Sequence, residues 1–288
     1  MGPVGTIDRL EIDANRLRFS ARAAGSHDGR PVLLLHGFPQ TSWCWRAQLG
    51  ALAAAGCWAV APDQRGYAVA ARPAQVSDYS MANLTSDVLA LADALGMGSF
   101  DLVGHDWGGM VAWQVGTRHP DRVRSLTIVS TPHPLALQHA QLGGDPVQVD
   151  RAQWMDRYLE DHDAERLLLG PLGTGDGLFT LLTTGGLGTE DAEAYVAAMR
   201  EEGALTGALN WYRAMDRADL FELVPVEVPT LYVWSTDDAA LGRVAAEATA
   251  ECVHGPYQFA VLEGVSHWIP ETAPQRLTEL LLAHLART

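Results

Sequence analysis

The feature that most restricts the fold of this chain is a regular alternation of short, unbroken apolar runs with stretches of helical length. Pro31 to His36, Cys57 to Pro62, Phe100 to Val103 and Arg124 to Ser130 read as strands. Between them, about Trp43 to Ala55, Met81 to Leu95 and Trp107 to Arg118 read as helices. Strands without a polar face are buried on both sides, and strands joined through a helix pair in parallel. The pattern therefore implies an α/β fold, a mainly parallel sheet with helices on both faces. A hairpin from Leu10 to Ala21, turning at Asp13, Ala14 and Asn15, precedes it.

The rhythm breaks at Pro132. From there to about Arg217 the chain offers two helix-like pieces, Arg151 to Leu169 and Asp191 to Met215, around a Gly- and Thr-rich stretch, Gly170 to Gly188, with no clear strand. Alternation returns at Thr230 to Ser235, Leu241 to Cys252, Gln258 to Leu262 and Pro274 to Ala286. The expected organisation is a core formed by 1–134 and 216–288, interrupted by an all-helical lid at 135–215.

Composition narrows the partner. A net charge of −15 repels nucleic-acid backbones and anionic lipid surfaces, leaving a neutral, largely apolar small molecule as the expected ligand and a homodimer open. Every basic side chain is Arg, so lysine chemistry is excluded. Cys44, Cys57 and Cys252 are odd in number, have no metal-type spacing and sit among apolar or small residues, as buried free thiols do. Met1 to Leu10 has no cationic stretch leading into an apolar run, and no later segment is long enough to span a bilayer. A cytoplasmic protein with neither cofactor nor metal is expected.

The strand Phe100 to Val103 runs into Gly104-His105-Asp106-Trp107-Gly108-Gly109 and directly into a helix. A sharp strand-to-helix turn with small flanking residues lifts its central side chain out in a strained conformation, and the free N–H groups of the helix start favour negative charge there. This resembles the strand, sharp turn and helix of a nucleophile elbow, with Asp106 where esterases carry Ser, although a strand-to-helix Asp can also be a simple cap. In such a fold His36-Gly37-Phe38-Pro39 follows the first apolar strand, where the loop supplies one oxyanion N–H. Phe38 would donate it and Trp107 the second. The chain order nucleophile, acid, base selects His267, on the loop after the last strand, and a carboxylate of Thr236-Asp237-Asp238, of which Asp238 is preferred.

An aspartate nucleophile has its own logic. Serine attacking an alkyl carbon would leave an ether that water cannot cleave, whereas a carboxylate leaves an ester with an electrophilic carbonyl.

With these motifs, Asn210-Trp211-Tyr212-Arg213-Ala214-Met215 in the lid, Trp234 to Asp238, and Gly264-Val265-Ser266-His267-Trp268, the sequence resembles the epoxide hydrolase branch of the α/β-hydrolases over nearly its whole length. The resemblance implies that Asp106 attacks an oxirane carbon, that His267 with Asp238 activates the water that cleaves the ester, and that lid tyrosines hold the epoxide oxygen. Tyr212 matches the second such tyrosine. Trp154 stands where the first is expected, with Tyr158 one turn further on. Trp154, His36 and Trp268 are the expected substrate contacts. Two further departures are Gln40, where Glu is common, and Ala68-Val69-Ala70 after Arg65-Gly66-Tyr67 in place of a Gly- and Ser-containing turn. The rival readings are a dehalogenase with the same Asp nucleophile, with Trp107 and Trp154 as halide donors, and a non-catalytic binding protein on the same scaffold.

Overall fold

The apolar runs become strands that bury both faces. In β3 (Arg30–Leu35), β4 (Cys57–Pro62), β5 (Phe100–His105) and β6 (Val123–Val129) buried residues follow one another without alternation. With the hairpin β1 (Asp8–Ala14) and β2 (Leu17–Ala24), and with β7 (Thr230–Asp237) and β8 (Tyr257–Ser266), they form one eight-stranded sheet in the order β1-β2-β4-β3-β5-β6-β7-β8. The pairs β1–β2 and β2–β4 are antiparallel and the rest are parallel. The computed structural model describes residues 6–146, 148–150, 164–170, 173–216 and 224–288.

Helix α1 (Arg46–Ala54) packs against α11 (Pro274–Leu285), and α2 (Met81–Ala94) against α3 (Trp107–Arg118), giving the sheet a helical layer on each face. From β3 the chain goes first to β4 on one side and then crosses to β5 on the other. The loops leaving the carboxyl ends of β3 and β5 therefore diverge around a crevice, where open α/β sheets bind ligands.

Four expectations are corrected in detail. The hairpin turns at Asn15-Arg16 rather than at Asp13 to Asn15, because both residues adopt positive φ, 47° and 64°, and a two-residue turn of that kind matches the strand twist. The helix expected from Leu241 starts later, as α9 (Arg243–Ala248), because the N–H groups of Ala240 and Leu241 are bound by Asp238. The Gly- and Thr-rich stretch contains a helix, α6 (Asp176–Thr184), and the stretch from Asp191 to Met215 is two helices, α7 (Thr189–Met199) and α8 (Ala204–Arg213), parted at Gly203 with φ 74°.

With α4 (Pro134–Leu142) and α5 (Ala164–Leu169), these helices form the insertion between β6 and β7, where no strand occurs among the described residues. Helix α8 is held to the core by backbone contact. A Cβ on Gly207 would lie 2.7 Å from the Cα of Gly66, which itself has φ 89°, and Trp211 donates its indole N–H to Arg65 O at 2.8 Å. That core loop is fixed in turn by a buried bidentate pair, Arg65 with Asp87.

Candidate active site

Asp106 sits between β5 and α3 at φ 51°, ψ −120°, a conformation rare for a residue with a Cβ and typical of strain kept at functional sites. The turn is this tight because strand and helix nearly touch. A Cβ on Gly104 would lie 2.3 Å from Gly108 O, so glycine is required there. The carbonyl of Asp106 accepts from Thr131 Oγ1 at 2.7 Å, which ties the elbow to the end of β6.

Its carboxylate has two distinct oxygens. Oδ1 accepts the Phe38 N–H at 2.8 Å, and Oδ2 faces His267 Nε2 at 3.5 Å. The other imidazole nitrogen, Nδ1, meets Asp238 Oδ2 at 2.8 Å. Asp238 is buried, and its Oδ1 accepts from the N–H groups of Ala240 and Leu241 at 2.8 and 2.9 Å, so both of its oxygens have partners. Asp237 is exposed, and the hydroxyl of Thr236 reaches its Oδ1 at 3.2 Å. Of the two carboxylates, Asp238 is the one that meets the imidazole. Asp238→Asn should lower turnover by about a hundredfold or more while Asp237→Asn leaves it near wild type, measured as kcat on one substrate; comparable losses would reverse the assignment.

Charges in this triad are coupled. Burial alone would depress His267, but the carboxylates of Asp238 and Asp106 outweigh it and push the imidazole up to about 10. Burial likewise opposes ionisation of Asp106, yet the hydrogen bond and charge of His267, His105 and the Phe38 N–H together hold it below the usual carboxylate range. Both shifts favour an aspartate–imidazolium pair in the resting site.

Tyr212, at the end of α8, stands its ring edge-on to Trp107 with centroids 4.8 Å apart and to Phe38 at 5.4 Å. The lid phenol is thereby packed on the two residues whose N–H groups were expected to hold an oxyanion. Of those, the Phe38 N–H reaches the Asp106 carboxylate, and the Trp107 N–H opens the first turn of α3, where N–H groups have no partner within the helix.

The expected substrate contacts fare differently. His36 is fully buried, its Nε2 accepting the Gln64 N–H at 3.1 Å and its Nδ1 donating to Gly37 O at 2.9 Å. It is corrected to a residue that fixes the loop, since neither ring nitrogen is left for a ligand. Trp268 packs its ring against His267 and His105, and its buried indole N–H has no partner among the described residues. Trp154 and Tyr158 lie outside the described residues.

Several residues were not foreseen. The His267 carbonyl accepts from His105 Nε2 at 2.9 Å and Ser130 Oγ at 3.1 Å, so the backbone of the base is pinned from two strands. Behind His105 follow Gln40, Glu271 and the lid residue Tyr195. No local pattern signals contacts between residues this far apart in sequence. Among the described residues no group of His, Cys, Asp or Glu has the arrangement of a metal site, and no helix is long and apolar enough to cross a membrane.

The sequence pattern described as alpha/beta hydrolase fold matches residues 30–274. Epoxide hydrolase A of Mycobacterium tuberculosis (strain ATCC 25618 / H37Rv) is 32% identical over 95% of this chain and 96% of its own length. The chain belongs to the epoxide hydrolase branch of the α/β-hydrolase family. Epoxide hydrolase 4 of Mus musculus is 32% identical, covering 98% of this chain and 80% of its own. Among solved structures, epoxide hydrolase A from Mycobacterium thermoresistibile superposes with a TM-score of 0.74 at 30% identity, covering 98% of both chains. An α/β-hydrolase described among novel epoxide hydrolases in metagenomes from hot environments reaches 0.84 at 28% identity, covering 97% of this chain and 99% of that one. As a member of this branch the chain is an enzyme.

Proposed function

We propose that this chain hydrolyses an epoxide to a vicinal diol through an ester on Asp106. The observation that carries the reading is the divided carboxylate of Asp106, with Oδ1 held by the Phe38 N–H and Oδ2 left facing His267, while the Tyr212 ring packs on Phe38 and Trp107. An apolar, neutral epoxide suits a crevice walled by Phe38, Trp107 and Tyr212.

The proton balance closes on these groups. Asp106 attacks a ring carbon, the carbon–oxygen bond breaks, and Tyr212 passes its proton to the nascent alkoxide. Asp106 is now a neutral ester, so the imidazolium of His267 has lost one of the two charges that held its proton. That proton moves to the phenolate, through water, and leaves His267 neutral. Water then adds to the Asp106 carbonyl as His267 takes its proton, with the oxyanion facing the N–H groups of Phe38 and Trp107. Collapse releases the diol and restores the aspartate–imidazolium pair.

Tyr212→Phe should slow ester formation by about a hundredfold or more, because a donor preorganised at developing charge is worth roughly 3 to 4 kcal/mol. Single-turnover rates of this variant on an aryl epoxide and on a matched haloalkane test the reading. A leaving halide needs no proton, so only the epoxide reaction should suffer. Normal epoxide opening would remove Tyr212 from the mechanism.

A further inference from the structure

Behind the catalytic histidine lies a buried chain of polar groups that the reaction above does not use. His105 Nε2 is 2.9 Å from His267 O, and its Nδ1 is 2.7 Å from one end of the Gln40 amide. The other end of that amide is 2.6 Å from Glu271 Oε1, which also meets the hydroxyl of Tyr195 on the lid helix α7 at 2.6 Å. Glu271 lies on the short helix α10 (Ile269–Thr272), and its Oε2 is buried with no hydrogen-bond partner among the described residues.

Counting hydrogens on this chain leads to a definite result. A backbone carbonyl only accepts, so Nε2 of His105 carries a proton. If the amide oxygen of Gln40 faces His105, Nδ1 must carry a second proton, and the ring is a cation balanced by the Glu271 carboxylate. If the amide is turned so that its NH₂ faces a bare Nδ1, the Gly37 N–H, 3.3 Å from that end, gives up its acceptor, and the amide oxygen faces Glu271, which must then be an acid that donates. In both arrangements the chain holds one proton more than a neutral imidazole and a carboxylate; without it, an acceptor would face an acceptor at 2.6 or 2.7 Å.

We propose that Glu271 is a positioning residue that holds this proton together with His105, across Gln40, and that losing it places a negative charge behind His267 that favours its role as a base. The inference rests on the reading of His267 as the hydrolytic base. Burial pushes Glu271 up to about 7 and pulls His105 down to about 4, so the proton rests on Glu271 in mildly acidic solution and leaves near neutrality. Burial outweighs the hydrogen bonds from Tyr195 and Gln40, which favour a negative charge on Glu271, while the charge of Asp191 opposes it. Tyr195 and Asp191 face it from α7, with Asp191 paired to Arg46, and Cys44 faces it from the turn before α1. The unpartnered Oε2 fits a protonated carboxyl better than a carboxylate, since a buried half-charge without a donor is costly.

Glu271→Gln is nearly isosteric and can neither hold nor release this proton. Below pH 6 its ester-hydrolysis rate should match wild type, because a neutral acid is replaced by a neutral amide. Above pH 8 wild type should be faster by about fivefold, the negative charge stabilising the imidazolium that forms as water is deprotonated. The rate of ester formation should be alike in both proteins. The exchanged variant Gln40→Glu with Glu271→Gln returns the carboxylate to the chain and should restore the wild-type pH profile. Difference infrared spectra should show a carboxylic-acid carbonyl band in wild type, titrating near neutrality and missing in Glu271→Gln. Absence of any band assignable to Glu271, or superimposable pH profiles for ester hydrolysis, would overturn the proposal. A protein that shows the band yet forms no ester from any epoxide would overturn the epoxide reading and leave the shared proton standing.

Discussion

Asp106→Asn should abolish diol formation, with loss on the order of 10⁴-fold or more, while the protein folds and binds an epoxide or its diol with near wild-type affinity. The size of the loss follows from the chemistry of the step. An amide oxygen is a poor nucleophile towards an alkyl carbon, and the other carboxylate at His267, that of Asp238, sits on the opposite ring nitrogen with both oxygens already bound. The near-normal affinity follows from shape, since Asn keeps an oxygen for the Phe38 N–H. The substitution also removes one of the two negative charges that raise His267, so its imidazole should titrate well below 10 in the variant, readable by NMR across a pH series. Diol formation at the wild-type rate would end the assignment of Asp106, and an unmoved His267 titration would contradict the charge coupling.

His267→Gln should separate the two half-reactions. Ester formation needs the Asp106 carboxylate and the Tyr212 proton, both still present, whereas hydrolysis of the ester needs a base that glutamine cannot supply. Mixed with an epoxide, the variant should gain the mass of one substrate molecule, and the adduct should map to the peptide containing Asp106. Its steady-state turnover should fall by about 10³-fold or more. Intact-protein and peptide mass spectrometry read both outcomes. An inactive variant that stays unmodified would give His267 a part in binding or in the opening step instead.

The legible part of this molecule was the part encoded locally. Strand runs such as Cys57 to Pro62 announced burial on both faces, and the glycines around Asp106 announced a close strand-to-helix approach. Chain order then pointed to His267 and to a carboxylate pair. What distinguishes Asp238 from Asp237 is tertiary: a strand end that leaves one outside and turns the other towards the imidazole, where the N–H groups of Ala240 and Leu241 also await it. His36 misled because a histidine beside an oxyanion loop resembles a ligand contact in sequence, and only the structure shows its ring nitrogens engaged by the Gln64 N–H and the Gly37 carbonyl. The helix Asp176–Thr184 was missed because its glycine and threonine content weighs against helix in isolation, while its Leu178 and Leu182 are buried by neighbours that sequence does not reveal. The polar chain from Tyr195 to His105 was unreadable for a related reason, as Gln40 and Glu271 meet across 231 residues.

The backbone contact between Gly66 and Gly207 bears on how this enzyme could be rebuilt. Genealogically, α8 belongs to the insertion; mechanically, it belongs to the core, since its glycine rests on a core glycine and its Trp211 is bound to a core carbonyl. A chimera that imports a foreign lid at the sequence boundaries would therefore carry in a helix with no matching seat, and Tyr212 would lose its packing on Phe38 and Trp107. A graft that ends before Ala204 keeps the seat, the helix and the phenol together, and leaves the remaining lid helices free to be exchanged for a different substrate shape.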